Sequence, residues 1–596
     1  CIRDRAESFL AIRERYDIPQ RDELNLRDYD TLEKVIAFVY EMRPDLRAAD
    51  GAAAEPADAV ALETAAPQPQ TAYTLAGADK MPRRVPVPAL RPPLALCKDT
   101  GVHLGQKSRV VLMPDKAGVA KALRKRLEDL GVTVLLLPTD VPAAALVEQL
   151  DTWQSAGDIQ GVFWLPALDV APQLAEIGPD GWREAIDLRV KKLYHTMRTL
   201  YESINRSGTF LVAATRLGGL HGYGQAGATA PLGGGVAGFS KAFDIEQSLR
   251  REGQGPLVKV VDFAVSRKTA VPAERLIAET LFDPGVVEVG YYEGNRYTIT
   301  LVEEPAADGR PGMELGPETV FLVTGAAGGI TSEVVADLAR ASQGVFYLLD
   351  LVQAPEDNDP LVNLFRSDID ALKQQLIAAA RAKGERPTPV EIDKQMGAVE
   401  RRAAALHAVE AVQDAGGTAF YHAADLLDAA RIQEIVDEIR ETYGRIDVLI
   451  HAAGLLVDRT LPNKEPEQFD LVFDVKVDGF YNMMQAAGDL PLGATVCFSS
   501  VAGRFGNNGQ SDYSAANDLL CKLTSSMRRW RPQTKALAID WTAWDEIGMA
   551  ARGSVPAVMK ALGIDMLPPE SGVPAVRREL VAGGFKGEIL VTGALG

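Results

Sequence analysis

Four polar side chains in the C-terminal half of the sequence have the types and spacing to deliver a proton to a carbonyl oxygen. Ser500 closes the stretch GATVCFSS, and Tyr513 and Asn517 follow in VAGRFGNNGQSDYSAAND, with Lys476 upstream. A phenol with its ordinary pKa of about 10 holds its proton too firmly for ready exchange at neutral pH, so a nearby ammonium must favour the phenolate left behind. Lys476 is the candidate for that charge. Ser500 is suited to donate a hydrogen bond to the oxygen as negative charge develops on it. Asn517, one helical turn after Tyr513, shares its face and can hold Lys476 or a relay water. A chemistry such a set could serve is reduction of a ketone, which needs a hydride donor on one face and a proton source at the oxygen.

These groups need a strand and a helix to bring them together. The apolar run Ala494–Phe498 reads as a buried parallel strand and the segment from Tyr513 as a helix, which puts Ser500 at a strand's carboxyl end facing Tyr513. Upstream, the strand reading Thr319–Val323 runs into the glycine turn Thr324-Gly-Ala-Ala-Gly-Gly-Ile330 and then a helix from Thr331. In that context the turn can seat a pyrophosphate on backbone amides at a helix N-terminus.

The ordered motifs resemble the ketoreductases of modular and iterative polyketide synthases, a branch of the short-chain dehydrogenase/reductases. They are the glycine turn, His451-Ala-Ala-Gly454, Lys476 in FDVKVDG, FSSVAG with Ser500, Tyr513-Ser-Ala-Ala-Asn517, and DWTAWDEIGMA from Asp540. The resemblance implies two Rossmann-like parallel-sheet subdomains, one structural and one catalytic, and NAD(P)H-dependent reduction of a 3-oxoacyl thioester held on an acyl carrier protein. It also implies site residues. Lys476, Ser500, Tyr513 and Asn517 form the catalytic tetrad, Lys476 also binding the nicotinamide ribose. Thr324, Gly325, Ala327, Gly328, Gly329 and Ile330 hold the pyrophosphate, Asp425 and Leu426 the adenine, and His451, Ala452, Ala453 and Gly454 flank the ribose. Asp350, at the end of the second strand, favours the free ribose hydroxyls of NADH and repels a 2′-phosphate, whereas the family expectation is NADPH; Arg366 is a candidate to accommodate that phosphate. Leu456-Val457-Asp458 keeps the last aspartate of the signature of 3R-forming relatives, and Phe505 stands where the opposite group has tryptophan, so the product is expected to be the 3R alcohol. A flap over the acyl chain is expected to begin after Trp544 and to include Glu546–Leu567.

The chain of 596 residues is long enough for about three or four domains. Residues 1–47 resemble the last helices of an acyl carrier domain, and 48–93 read as an Ala/Pro-rich linker whose end, MPRRVPVPALRPPL, is extended. Residues 94–303 repeat the α/β alternation as a degenerate copy. Met113-Pro-Asp-Lys-Ala-Gly118 lacks the paired glycines of a dinucleotide turn, and Tyr223 and Lys241 stand at the wrong separation for catalysis, with His221 a loop or core residue. A linker, 304–317, leads to the catalytic part, 318–596, which carries a helical insertion at 351–417. That insertion is a docking surface, a lid or a plain surface excursion.

The formal charge of −18 comes without a basic block, which argues against nucleic-acid binding. Four cysteines and six histidines show no ligand spacing, so no metal site is expected. No apolar run approaches the roughly 20 residues of a membrane span, and a cytoplasmic protein is expected. Expected partners are the carrier-bound thioester and neighbouring synthase domains, with dimerisation through other domains open. Two readings compete: a free-standing dehydrogenase of a soluble alcohol, which the carrier-like N-terminus disfavours, and a catalytically silent scaffold, which the intact tetrad disfavours.

Overall fold

The computed structural model describes residues 73–594 apart from 171, 252–254, 355–357, 384–386, 549–555, 557–558 and 560–562. The carrier-like helices of 1–47 and most of the expected flap fall outside the described residues.

Two runs of parallel strands are stitched into one sheet of fifteen. The first run comprises β2 (Arg109–Met113), β3 (Thr133–Leu136), β4 (Gly161–Trp164), β5 (Phe210–Thr215), β6 (Leu257–Phe263) and β7 (Glu288–Tyr292), after which β8 (Asn295–Glu303) returns antiparallel. The second comprises β9 (Val320–Thr324), β10 (Val345–Asp350), β11 (Thr418–Ala423), β12 (Ile446–His451), β13 (Leu492–Ser500), β14 (Lys535–Trp541) and β15 (Gly587–Val591). The second run is ordered β11-β10-β9-β12-β13-β14-β15, so the chain reverses direction between β9 and β12. The first is ordered β3-β2-β4-β5-β6-β7 and, among the described residues, has no strand beyond β3 to match β11. Its degeneracy is thus topological as well as chemical. The strands are nearly uninterrupted apolar runs, as expected where helices cover both faces of a parallel sheet.

The join is β1 (Arg83–Arg91), within the segment expected to be linker. It pairs antiparallel with β8 over its whole length, from Arg84 opposite Glu303 to Arg91 opposite Arg296, and with β15 at Arg83 and Arg84. The Pro-rich end of that segment is extended, as expected, and is drawn into the sheet as a strand; Pro86 and Pro88 are tolerated there because beyond Arg84 the strand pairs only with β8, leaving one side without a ladder.

Helices fix the two runs in place. For the site the relevant ones are α1 (Gly233–Arg251), α2 (Gly329–Ser342), α3 (Pro466–Ala487), α4 (Val501–Phe505), α5 (Ser511–Trp530) and α6 (Pro569–Val581). Between β10 and β11 the insertion forms three helices, Pro360–Ser367, Ile369–Ala382 and Pro389–Asp414. Thr388 and Glu391 start the last with a reciprocal capping box. Val362, Leu372, Leu376, Ile392 and Val399 give the insertion a small core of its own, while Ala408 and Val412, farther along the long helix, join the core beside the main sheet. The long helix therefore serves both as insertion and as the crossover the fold needs.

Arg83 anchors β1 to α6 through a bidentate pair with Glu579, at 2.7 and 3.0 Å, with both side chains buried. Removing one partner of such a pair strands the other charge in the interior. Arg83→Met is expected to destabilise the protein by about 3 to 5 kcal/mol, read as a lower urea midpoint with unchanged slope; an unchanged midpoint would show that the pair does not secure the join.

Candidate active site

The glycine turn is formed by close approach between β9 and the segment after β12. Gly325 has φ +71, and a Cβ there would stand 2.8 Å from the Ala453 amide nitrogen. Behind it, Thr324 and His451 are fully buried and form a strut. His451 Nε2 lies 2.8 Å from the Lys476 carbonyl, which can only accept, so Nε2 carries the proton and Nδ1 accepts from the Thr324 hydroxyl at 3.1 Å. Burial, reinforced by Lys476, holds the imidazole pKa down at about 3, keeping it neutral. The Thr324 oxygen in turn accepts from the Ala452 and Ala453 amides. Thr324 and His451, expected beside the cofactor, thus act from behind the cleft wall.

The glycine turn leaves helix amides open. Gly328 stands at the N-cap of α2 without a side chain to cap it, and Gly328, Gly329 and Ile330 are partly exposed, leaving the helix's first-turn amides available for a phosphate. Ala327 is buried, and its amide donates to Asp350 Oδ2 at 2.9 Å; Asp350 Oδ1 accepts from Val352 at 3.1 Å. Asp350 therefore braces the turn as well as charging the end of β10. Exposed Asp425 and buried Leu426 follow β11, where Asp425 accepts from the Leu427 amide and the Leu426 carbonyl accepts from Asn482. Arg366, considered as a partner for a 2′-phosphate, instead pairs with Glu410 at 2.8 Å.

The four candidate catalytic residues meet at the carboxyl end of β13. Ser500 ends the strand and caps α4, its Oγ accepting from the Ala502 amide at 3.1 Å. Tyr513 lies in the first turn of α5, near enough to the Ser500 and Asn517 side chains for both to act on its phenol. Burial raises the phenol pKa and those side chains pull it back. Lys476, on α3, lies 5.6 Å from the Tyr513 ring centroid, and its ammonium donates to the Phe498 carbonyl at 2.8 Å. Burial draws the lysine pKa down to about 8. In this arrangement burial is the largest influence on the phenol, opposed by Asn517 and Ser500, and the Lys476 ammonium is turned to the strand backbone. Asn517 donates to the Tyr513 carbonyl at 2.8 Å, while its buried Oδ1 has no partner, an open acceptor position beside the phenol.

The proposed stereocontrol residues separate. Exposed Asp458 accepts from Gln510 at 3.0 Å, tying the loop after β12 to the segment before α5. Phe505 is 40% exposed at the end of α4. Trp544, placed by sequence at the acyl path, is instead 2% exposed in the core, edge-on to Trp541 and pressed against Gly572. Its large apolar ring is satisfied by packing.

A buried charged cluster under α5 was not recognised from the sequence as part of the site. Lys241 of α1 pairs with Asp518 of α5 at 2.8 Å and Glu288 of β7 at 3.6 Å; Lys522 of α5 pairs with Asp518 at 3.1 Å and Glu588 of β15 at 3.0 Å; Arg504 pairs with Glu288. The Tyr223 hydroxyl bridges them, receiving hydrogen bonds from Arg504 and Lys522, both at 2.6 Å, and donating to Glu588 at 2.8 Å. His221 is also buried and has its pKa lowered to about 4 by desolvation. At the start of α5, Lys464 pairs with Asp512 at 2.6 Å and donates to the Val457 carbonyl. Only the Asp518/Lys522 spacing, one turn apart on a helix, was a sequence signal.

The helices that carry this cluster touch through glycine. A Cβ on Gly238 of α1 would stand 2.2 Å from the Ser514 carbonyl, immediately after Tyr513. Gly238→Val must therefore push α5 away or distort it. Carbonyl reduction is expected to fall at least tenfold, measured as kcat in a folded sample checked by circular dichroism; full activity would show that α5 does not depend on this contact.

Residues 319–546 match the family model described as KR domain. The chain is 30% identical over 359 residues to a polyunsaturated fatty acid synthase from Thraustochytrium sp., covering 59% of this chain and 12% of that protein. It is 25% identical over 315 residues to Polyketide synthase PksL of Bacillus subtilis, covering 52% of this chain and 6% of that protein. The chain thus spans only a small part of these relatives. Among solved structures, an N-terminal ketoreductase from the macrolactin assembly line superposes with a TM-score of 0.61 at 15% identity, covering 86% of this chain and 92% of that one. A-type ketoreductases from a modular polyketide synthase give 0.61 at 19%, covering 87% and 93%. No helix among the described residues is long and apolar enough to cross a membrane. Over residues 319–546 the chain is thus similar to a KR domain, its relatives include polyketide and polyunsaturated fatty acid synthases, and it shares the α/β fold of solved polyketide-synthase ketoreductases.

Proposed function

We propose that this chain reduces a 3-oxoacyl thioester, presented on an acyl carrier protein within a polyketide or polyunsaturated fatty acid synthase, to the 3-hydroxyacyl thioester. The observation that carries the reading is the meeting of Tyr513, Ser500 and Asn517 at the end of β13, with Lys476 beside them and an uncapped glycine turn at the end of β9. Residues 94–303 serve as a non-catalytic companion, 318–596 as the catalytic part, and 1–47 as the end of a preceding carrier domain.

The glycine turn and Ala452–Gly454 would hold a reduced nicotinamide dinucleotide, which supplies the hydride when bound. The chain's own residues handle the oxygen. Ser500 donates to the ketone oxygen and stabilises its growing negative charge. Tyr513 gives that oxygen its proton, so ketone, hydride and proton become the alcohol and the phenolate is left on the protein. Lys476 is close enough to turn from Phe498 toward the phenolate or a bound ribose, and Asn517 Oδ1 can accept from it or from a relay water that returns the proton. The retained Asp458, fixed by Gln510 beside the entrance to Tyr513, favours the 3R product.

The decisive assay follows the reduced-nicotinamide absorbance with a 3-oxoacyl N-acetylcysteamine thioester. Tyr513→Phe is expected to lower kcat by about 10²- to 10⁴-fold; undiminished turnover would remove the phenol from the reaction. Because the Lys476 pKa lies at about 8, its charge is present below that pH and lost above it. The rate should therefore decline as pH rises through about 8, and Lys476→Arg, charged throughout, should lack that limb whatever its absolute rate.

For the cofactor, family resemblance points to NADPH and the Asp350 carboxylate to NADH. With Arg366 paired to Glu410, the local charge favours NADH. The expected result is kcat/KM for NADH at least equal to that for NADPH, with Asp350→Arg moving the ratio toward NADPH by tenfold or more. A strong wild-type preference for NADPH would reverse the assignment.

A further inference from the structure

The non-catalytic half contains a cavity of about 450 Å³ at the carboxyl ends of its strands, lined by Ala117, Arg216, Val265, Ser266, Arg267 and Thr269. Arg216 directly follows β5 and is 5% exposed. Its Nη1 donates to the Ser266 carbonyl at 2.9 Å, its Nε has no partner, and it makes no ion pair among the described residues. The carboxylates near it in the fold are committed elsewhere. Asp262 accepts from Thr215, Leu217 and His221, and Asp115 accepts from the Val119 and Ala120 amides. A buried guanidinium with an unpartnered donor and no ion pair among the described residues is costly, and its planar set of donors suits a tetrahedral oxyanion.

We propose that this cavity is a second anion site, taking the phosphate of a small phosphorylated molecule on Arg216, with Arg267 at the rim. The site differs in kind from the glycine-turn cleft. In the catalytic half the helix N-terminus is open at Gly328, whereas here Asp115 occupies the first-turn amides of the helix Val119–Asp129, so a phosphate must be read by side chains. The exposed Arg267 side chain adds a second cation, and the Thr269 hydroxyl adds a polar wall. The volume lies in the range of small-ligand pockets and leaves room for more than the phosphate itself.

The test titrates the full chain calorimetrically with inorganic pyrophosphate, with ADP and with adenosine, in saturating nicotinamide dinucleotide so that the glycine-turn cleft is filled. One site is expected for pyrophosphate or ADP and none for adenosine. Arg216→Met should weaken binding at least tenfold and Arg267→Ser about threefold, while Arg267→Ser leaves carbonyl reduction unchanged. Tighter binding of ADP than of pyrophosphate would identify a nucleotide as the source, and equal binding a free phosphate group. Absence of binding at millimolar ligand, equal affinity for adenosine and ADP, or full affinity in Arg267→Ser would overturn the proposal; the last variant decides the matter if Arg216→Met does not fold.

Discussion

The packing of α1 against α5 is the constraint on which the site rests. Tyr513 and Asn517 can meet Ser500 only if α5 lies at a fixed depth over the sheet, and that depth is set by backbone contact at Gly238 and by the charge cluster below it. Each charge in the cluster is compensated by another from a different element: Lys241 from α1, Asp518 and Lys522 from α5, Glu288 from β7, Glu588 from β15 and Arg504 from α4. Such a network is strong only when complete, since a low dielectric magnifies both the pairing and the penalty of losing a partner. The first run of strands thus contributes, through α1 and β7, to the position of α5 in the second.

The same division of labour appears in the cleft. His451 and Thr324 are buried and neutral, and they fix the turn segments whose backbones face the cofactor region. The exposed surface of the cleft is backbone and small side chains, which suits a ligand recognised mainly by phosphates and ribose. Lys476 links the two regions: its carbonyl accepts from His451, and its ammonium, 5.6 Å from the Tyr513 ring centroid, donates to the Phe498 carbonyl.

Much of this was legible in order along the chain. Strand-turn-helix context gave the glycine turn its place, and the spacing from Ser500 through Tyr513 to Asn517 placed a strand end against a helix face, because both features depend on local periodicity. The β1 strand was not legible, since two prolines argue against a ladder until the missing neighbour on one side is known. The packing of Trp544 against Gly572 was not legible either, because its place within a motif says nothing of which way its ring faces. Tyr223 and Lys241 looked like remnants of a lost active site; their partners lie hundreds of residues away.

By itself the sequence determined the candidate groups, the strand and helix that carry them, and the absence of paired glycines after the first half's opening strand, because these are properties of short segments. Tertiary structure decided that one sheet joins both halves through β1, that Lys476 rests on the Phe498 carbonyl, and that a buried ionic cluster holds the catalytic helix. Those features arise from desolvating groups distant in sequence against one another, and the energy of a buried charge depends wholly on which partner the fold brings to it.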